Sequence, residues 1–124
     1  MNKICTSIEQ SKKLLELGFD VNTADMIHNI LGESYVRHDT PIDKHHTPAW
    51  SLSALLELIP PYLGKFNDGI DFGFSKSMNG KWYSAHYIQL DNSGLATFTK
   101  TVTGDTSVDA AFEMIVWLKE NNKL

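Results

Sequence analysis

Cysteine is nearly missing from this chain: Cys5 is the only one, so no intramolecular disulfide and no multi-cysteine zinc or iron–sulfur site can be built. A single unpaired thiol suits a reducing compartment. Nowhere do about 18 apolar residues follow one another, and residues 1–9 hold no apolar run of signal-peptide length. The expectation is a cytoplasmic protein with no membrane segment. Positive charge is also scarce. Eleven Lys and Arg stand against fifteen Asp and Glu, a net charge of -4, which is the wrong sign for a chain whose task is to hold nucleic-acid phosphates. Nucleic acid is therefore an improbable partner. The recurrent catalytic signatures are missing too: Gly64-Lys65 follows no glycine pattern, and there is no Gly-x-Ser-x-Gly elbow, His-Glu-x-x-His helix or EF-hand loop.

What is present describes one α+β domain over residues 1–124. With 42% hydrophobic and 21% charged residues the composition is that of a globular chain, and this length buries roughly two thirds of the unfolded surface. Folding needs no cofactor and none is expected. A first helix over about Ser7–Leu17 is signalled by Thr6 or Ser7 as cap, Glu9 or Gln10 three residues on, and Gly18 as stop. Its apolar stripe is Ile8, Leu14, Leu15 and Leu17. A weak strand near Ala24–Leu31 follows, with a second near Ser34–His38, although Thr23 could equally cap a short helix. His38 to Thr47 reads as a polar surface loop.

Thr47 before Pro48 resembles a cap and a first-turn proline, with Ser51 the alternative cap, and the helix ends at Pro60-Pro61. Leu52, Leu55, Leu56 and Ile59 fall on one face of it. Ile70, Phe72 and Phe74 then alternate with Asp71, Gly73 and Ser75 as in a strand, and Asn79-Gly80 predicts a two-residue type I′ turn. Counting outward from Met78 and Lys81 puts Phe74 opposite Ala85, Phe72 opposite Tyr87 and Ser75 opposite Ser84. A second turn at Asp91-Asn92-Ser93-Gly94, taken as two or four residues, puts Tyr87 opposite Phe98 and His86 opposite Thr99. Phe72, Tyr87 and Phe98 would then form an inward aromatic row. A last helix runs from about Ser107 to Glu120, capped by Thr106 or Ser107 and burying Val108, Ala111, Phe112, Ile115 and Val116. The expected fold is a two-layer α+β domain: a three-stranded antiparallel meander, with a possible N-terminal strand, packed against three helices.

Two surfaces are candidates for function. On the outer sheet face, Trp82 and Ile88 are large apolar groups among polar ones, with His86 between them. They mark either a contact surface or a face covered by helix 1 or by residues 19–37. The second is the loop holding His38, Asp39, Asp43, His45 and His46, whose imidazole and carboxylate groups are the ligands of zinc-like metals. His45 and His46 are adjacent and no helix spaces two of these groups four residues apart, so a plain solvated loop is the competing reading. Cys5 precedes a helix start, where a thiolate would be favoured, but no histidine lies near it in sequence.

The segments Ile4-Cys5-Thr6-Ser7-Ile8-Glu9-Gln10-Ser11-Lys12-Lys13-Leu14, Thr23-Ala24-Asp25-Met26, Pro48-Ala49-Trp50-Ser51-Leu52-Ser53-Ala54-Leu55-Leu56-Glu57-Leu58, Asp109-Ala110-Ala111-Phe112-Glu113-Met114-Ile115 and Leu118-Lys119-Glu120-Asn121-Asn122 resemble a family of small uncharacterised proteins encoded by phages and mobile elements of gut bacteria. The resemblance implies origin in a mobile element and expression in a bacterial cytoplasm, and brings no activity or catalytic residues with it. The functional expectation is a non-enzymatic accessory or protein-interaction protein of such an element, acting on an unknown protein partner or on itself through Trp82, His86 and Ile88. The alternative is a metal-dependent hydrolase using His38, Asp43, His45 and His46.

Overall fold

Three helices and two antiparallel sheets make up the α+β fold of the computed structural model, which describes residues 3–38, 42–64 and 69–124. Helix α1 (Ile8–Glu16) starts at Ser7, whose hydroxyl accepts from Gln10 N while the Gln10 side chain accepts from Ser7 N. That reciprocal capping box follows from the Ser-x-x-Gln spacing. Its inward face is narrower than the leucines suggest: Leu14 and Ser11 are buried and Leu15 is exposed. Ser11 is admitted because its hydroxyl bonds Thr6 Oγ1 at 2.8 Å, so neither of these two buried hydroxyls is stranded.

A single 3-10 turn, Val21–Thr23, follows; it is capped by Asp20, and Thr23 lies inside it rather than at its start. Strands β1 (Met26–His28), β2 (Ser34–Val36) and β3 (Thr47–Ala49) then form a small sheet in the order β2-β1-β3. β3 corrects the sequence expectation that Thr47 and Pro48 open a helix. Proline lacks a ladder donor and is tolerated on edge strands, which is where β3 lies. Helix α2 (Leu52–Leu58) is instead capped by Ser51, whose hydroxyl accepts from Ala54 N and donates to Asp25 Oδ2. Leu55 and Ile59 are buried while Leu56 is 37% exposed. Ile59 has already left the helix (φ -87°, ψ 123°), as the residue before a proline must.

The second sheet, in the order β4-β5-β6-β7, comprises β4 (Tyr62–Leu63), β5 (Ile70–Lys76), β6 (Tyr83–Leu90) and β7 (Ala96–Gly104). The β5–β6 register is the expected one, with Phe72 opposite Tyr87, Phe74 opposite Ala85 and Ser75 opposite Ser84. The turn producing it is different. Only Gly80 has a positive φ (71°), Gly80 N donates to Ser77 O, and Ser77 N donates to Trp82 O, so the loop contains four residues. Two and four are both even, and the pairing is the same for either.

The β6–β7 hairpin departs from expectation. Asp91 N donates to Leu95 O and Gly94 N to Asp91 O, with Gly94 at φ 85°, which leaves three residues in the loop. An odd loop shifts the register by one and turns the side chains that follow to the other face. Phe98 therefore pairs with Ile88, not Tyr87, and lies on the outer face beside His86. A bulge at Thr99 then restores alternation, so Lys100 stands opposite Tyr87 and Thr101, not Thr99, opposite His86. The inward aromatic row keeps Phe72 and Tyr87, whose rings meet edge to face at 5.5 Å, and loses Phe98.

Helix α3 (Ser107–Glu120), capped by Thr106, covers the inner face of β6 and β7 and packs on α2. Because two neighbours flank it, Ala110 and Met114 are buried along with Val108, Ala111, Phe112, Ile115 and Leu118, a wider face than one stripe, while Val116 stays only partly buried. Gly104 allows β7 to run into this helix: a Cβ there would stand 2.5 Å from Ala110 N. Tyr87 is fully buried at the centre, donates to Pro60 O at 2.6 Å, and burial pushes its phenol up to about 12.

Candidate functional site

The outer face of the four-stranded sheet is open. Asp71, Ser75, Leu90, Ala96, Phe98, Thr101 and Thr103 all project from it and all are exposed, so neither α1 nor residues 19–37 close over it. Two large apolar groups stand out, Phe98 at 58% exposure and Trp82 at 45%, with Ile88 half-buried next to Phe98 in the ladder. Leu90 extends the same row toward the Asp91 turn and is also exposed.

His86 sits at the centre of this face, opposite Gly73 on one side and Thr101 on the other. Its ring lies across the bare backbone of Gly73, where a Cβ would come within 2.4 Å of Nε2. The Phe98 ring meets it nearly perpendicular, with centroids 5.5 Å apart, as an aromatic quadrupole favours. Burial lowers the His86 pKa, so the neutral imidazole, with one donor and one acceptor nitrogen, prevails at neutral pH. Ser75 and Ser84 exchange a hydrogen bond at 2.8 Å on the same face. Trp82 lies just before the start of β6, its backbone N donating to Ser77 Oγ at 3.2 Å. With Thr101 and Thr103 it borders an open depression of about 620 Å³ that extends to Gln10 and Asp109.

Of the residues the sequence singled out, Trp82, His86 and Ile88 thus share one region, and Phe98 joins them through the odd-length loop. Phe98 was the residue sequence reasoning put inside. A second exposed apolar feature was also missed. Ile30 and Leu31, at 76% and 80% exposure, form the tip of the β1–β2 hairpin. Asn29 holds that tip, its side-chain oxygen accepting from Leu31 N and Glu33 N, and Gly32 adopts φ 82°. The Asn-x-x-Gly spacing was the legible signal of a turn there.

The His38–His46 loop does not assemble a metal site among the described residues, where no group of three or more His, Cys, Asp or Glu could hold an ion. Asp43 braces its own loop instead. Its carboxylate accepts from His45 N and bonds His46 Nδ1, each at 2.8 Å, and the His46 contact followed by the His45 amide lowers its pKa. His38 is exposed and takes no part in this cluster, and Asp39 lies outside the described residues.

A histidine distant in sequence does reach Cys5. His28 is buried, its Nε2 at 2.7 Å from Thr6 O and 3.9 Å from Cys5 Sγ. The short contact to a carbonyl places the proton on Nε2, so that nitrogen cannot accept one from the thiol. Burial raises the Cys5 pKa and keeps it protonated. The pair is not arranged as a nucleophile and its base.

No protein-family model, curated protein or solved structure matches the chain.

Proposed function

We propose that the protein is a non-enzymatic binding protein, an accessory of a phage or mobile element working in the bacterial cytoplasm, as the sequence resemblance implies. Its docking surface is the outer face of the four-stranded sheet. The observation that carries this reading is the exposure of Phe98 and Trp82 on one open face, beside the neutral His86 and half-buried Ile88. Exposed apolar groups gathered on one side of a small domain mark contact surfaces, and aromatic residues dominate the energy of such contacts. The absence of a recognisable catalytic signature and the Asp43 loop's self-contained bonding agree with binding rather than chemistry.

The test is a double variant, Trp82→Ser with Phe98→Ser, compared with the wild type by light scattering and by affinity purification from the bacterial host. The expected result is an unchanged circular dichroism spectrum with loss of self-association, or of the co-purifying protein. A double variant that retains the same mass and the same companions removes this face as the docking surface.

A further inference from the structure

A cleft of about 690 Å³ lies on another part of the molecule, between residues 3–4, the start of α2, the β5–β6 hairpin and the start of α3. Its size is that of a small-molecule site. In a chain of net charge -4, three ammonium groups line it: Lys3, Lys76 and Lys81. Lys76 and Lys81 belong to one hairpin, and Lys3, more than seventy residues before them, is brought to them by the fold. One carboxylate, Asp105, faces them within the cleft, and Lys3 is also held by Asp109 at 2.6 Å.

The remaining cations are poorly compensated. Lys76 touches only the Tyr83 ring, 5.8 Å from its centroid, and the Lys81 ammonium has neither an ion pair nor a hydrogen bond among the described residues. The hydroxyls of Ser53 and Ser107 line the same wall. Above them the first turn of α3 adds a favourable field for negative charge, a contribution that supplements the lysines.

From the convergence of Lys76 and Lys81, whose ammonium groups have no anionic partner among the described residues, we infer that the cleft binds a compact phosphate-bearing small molecule. These two lysines take the phosphoryl oxygens and Ser53 and Ser107 complete the shell, while Lys3, already held by Asp109 and Gln10, stands at its edge. A diphosphate offers each hairpin lysine its own phosphoryl group, and these two contacts must outweigh the repulsion from Asp105. A long polyanion is disfavoured, because outside the cleft the chain's charge is strongly negative and would repel it.

Calorimetric titration at low salt, with inorganic pyrophosphate, ADP and adenosine as probes, tests this. Pyrophosphate and ADP are expected to bind and adenosine not; ADP binding more tightly identifies a nucleotide, and equal binding identifies the phosphates alone. Lys76→Gln with Lys81→Gln removes two charge-assisted hydrogen bonds and is expected to weaken pyrophosphate by at least about tenfold, the worth of one of them alone. Lys12→Gln with Lys13→Gln, on the exposed side of α1, is the control and is expected to bind as the wild type. Three results overturn the inference: no pyrophosphate binding at millimolar concentration, a Lys76/Lys81 variant that binds undiminished, or a control variant that loses as much.

Discussion

At the scale of single residues, the outer face depends on an atom that is missing. Gly73 has no Cβ, and the His86 ring occupies the space one would fill. Gly73→Ala is therefore expected to expel His86 from its seat against Phe98 and to destabilise the fold by about 1–3 kcal/mol, the usual cost of overpacking. Adding His86→Ala should restore most of that loss, and chemical denaturation of both variants measures it. Asp109 offers a test with pH. Burial works to raise its pKa, but donors from Lys3, Gln10 and Thr106 together outweigh that and hold it below the ordinary value. Since the folded pKa lies under the unfolded one of about 3.9, the carboxylate's contribution is complete above that unfolded value and disappears as pH falls through the folded one. Thermal unfolding between pH 6 and 3 should show the wild type losing stability at the acid end more steeply than Asp109→Asn.

Among the elements, local chemistry written within a few residues was legible and pairing across an ambiguous loop was not. The caps at Ser7 and Thr106 and the β5–β6 register could all be read, because each rests on a short spacing or on an even loop. Phe98 was misplaced because Asp91 to Gly94 admits loops of two, three or four residues, and only the three-residue form reverses the face. Pro48 misled for another reason: its fixed φ suits a helix start and an edge strand alike, and tertiary pairing with β1 decides. Phe98→Ala should accordingly cost less than about 1 kcal/mol, while Tyr87→Ala, which empties a fully buried site and strands Pro60 O, should cost about 3–5 kcal/mol. Equilibrium unfolding of the two variants distinguishes this assignment from the inward row, in which both losses would be large.

For the whole molecule, the apolar interior lies between α3, α2 and the inner face of the larger sheet, with Trp50 buried at the junction with the smaller one. Trp50 Nε1 donates to Thr23 Oγ1 and its backbone N to Thr6 Oγ1, while Thr6 N donates to Trp50 O. These bonds tie the N-terminal segment and the 3-10 turn to the start of α2. Trp50→Ala should cost about 3–5 kcal/mol and loosen both sheets together, visible as a single lowered transition in calorimetry. None of this connectivity could be read from the sequence, since Thr6, Thr23 and Trp50 carry no spacing signal.

β7 forms an outer border of the larger sheet, nine residues with no proline, and such a border is a template on which further chains can stack. Two features described above act against that: the bulge at Thr99 bends the strand, and Lys100 places a charge on the helix-facing side, its ammonium 5.6 Å from the Trp117 ring centroid. Removing the charge while straightening the strand would turn a guarded margin into a growing one, and fibres rather than defined assemblies would be the product.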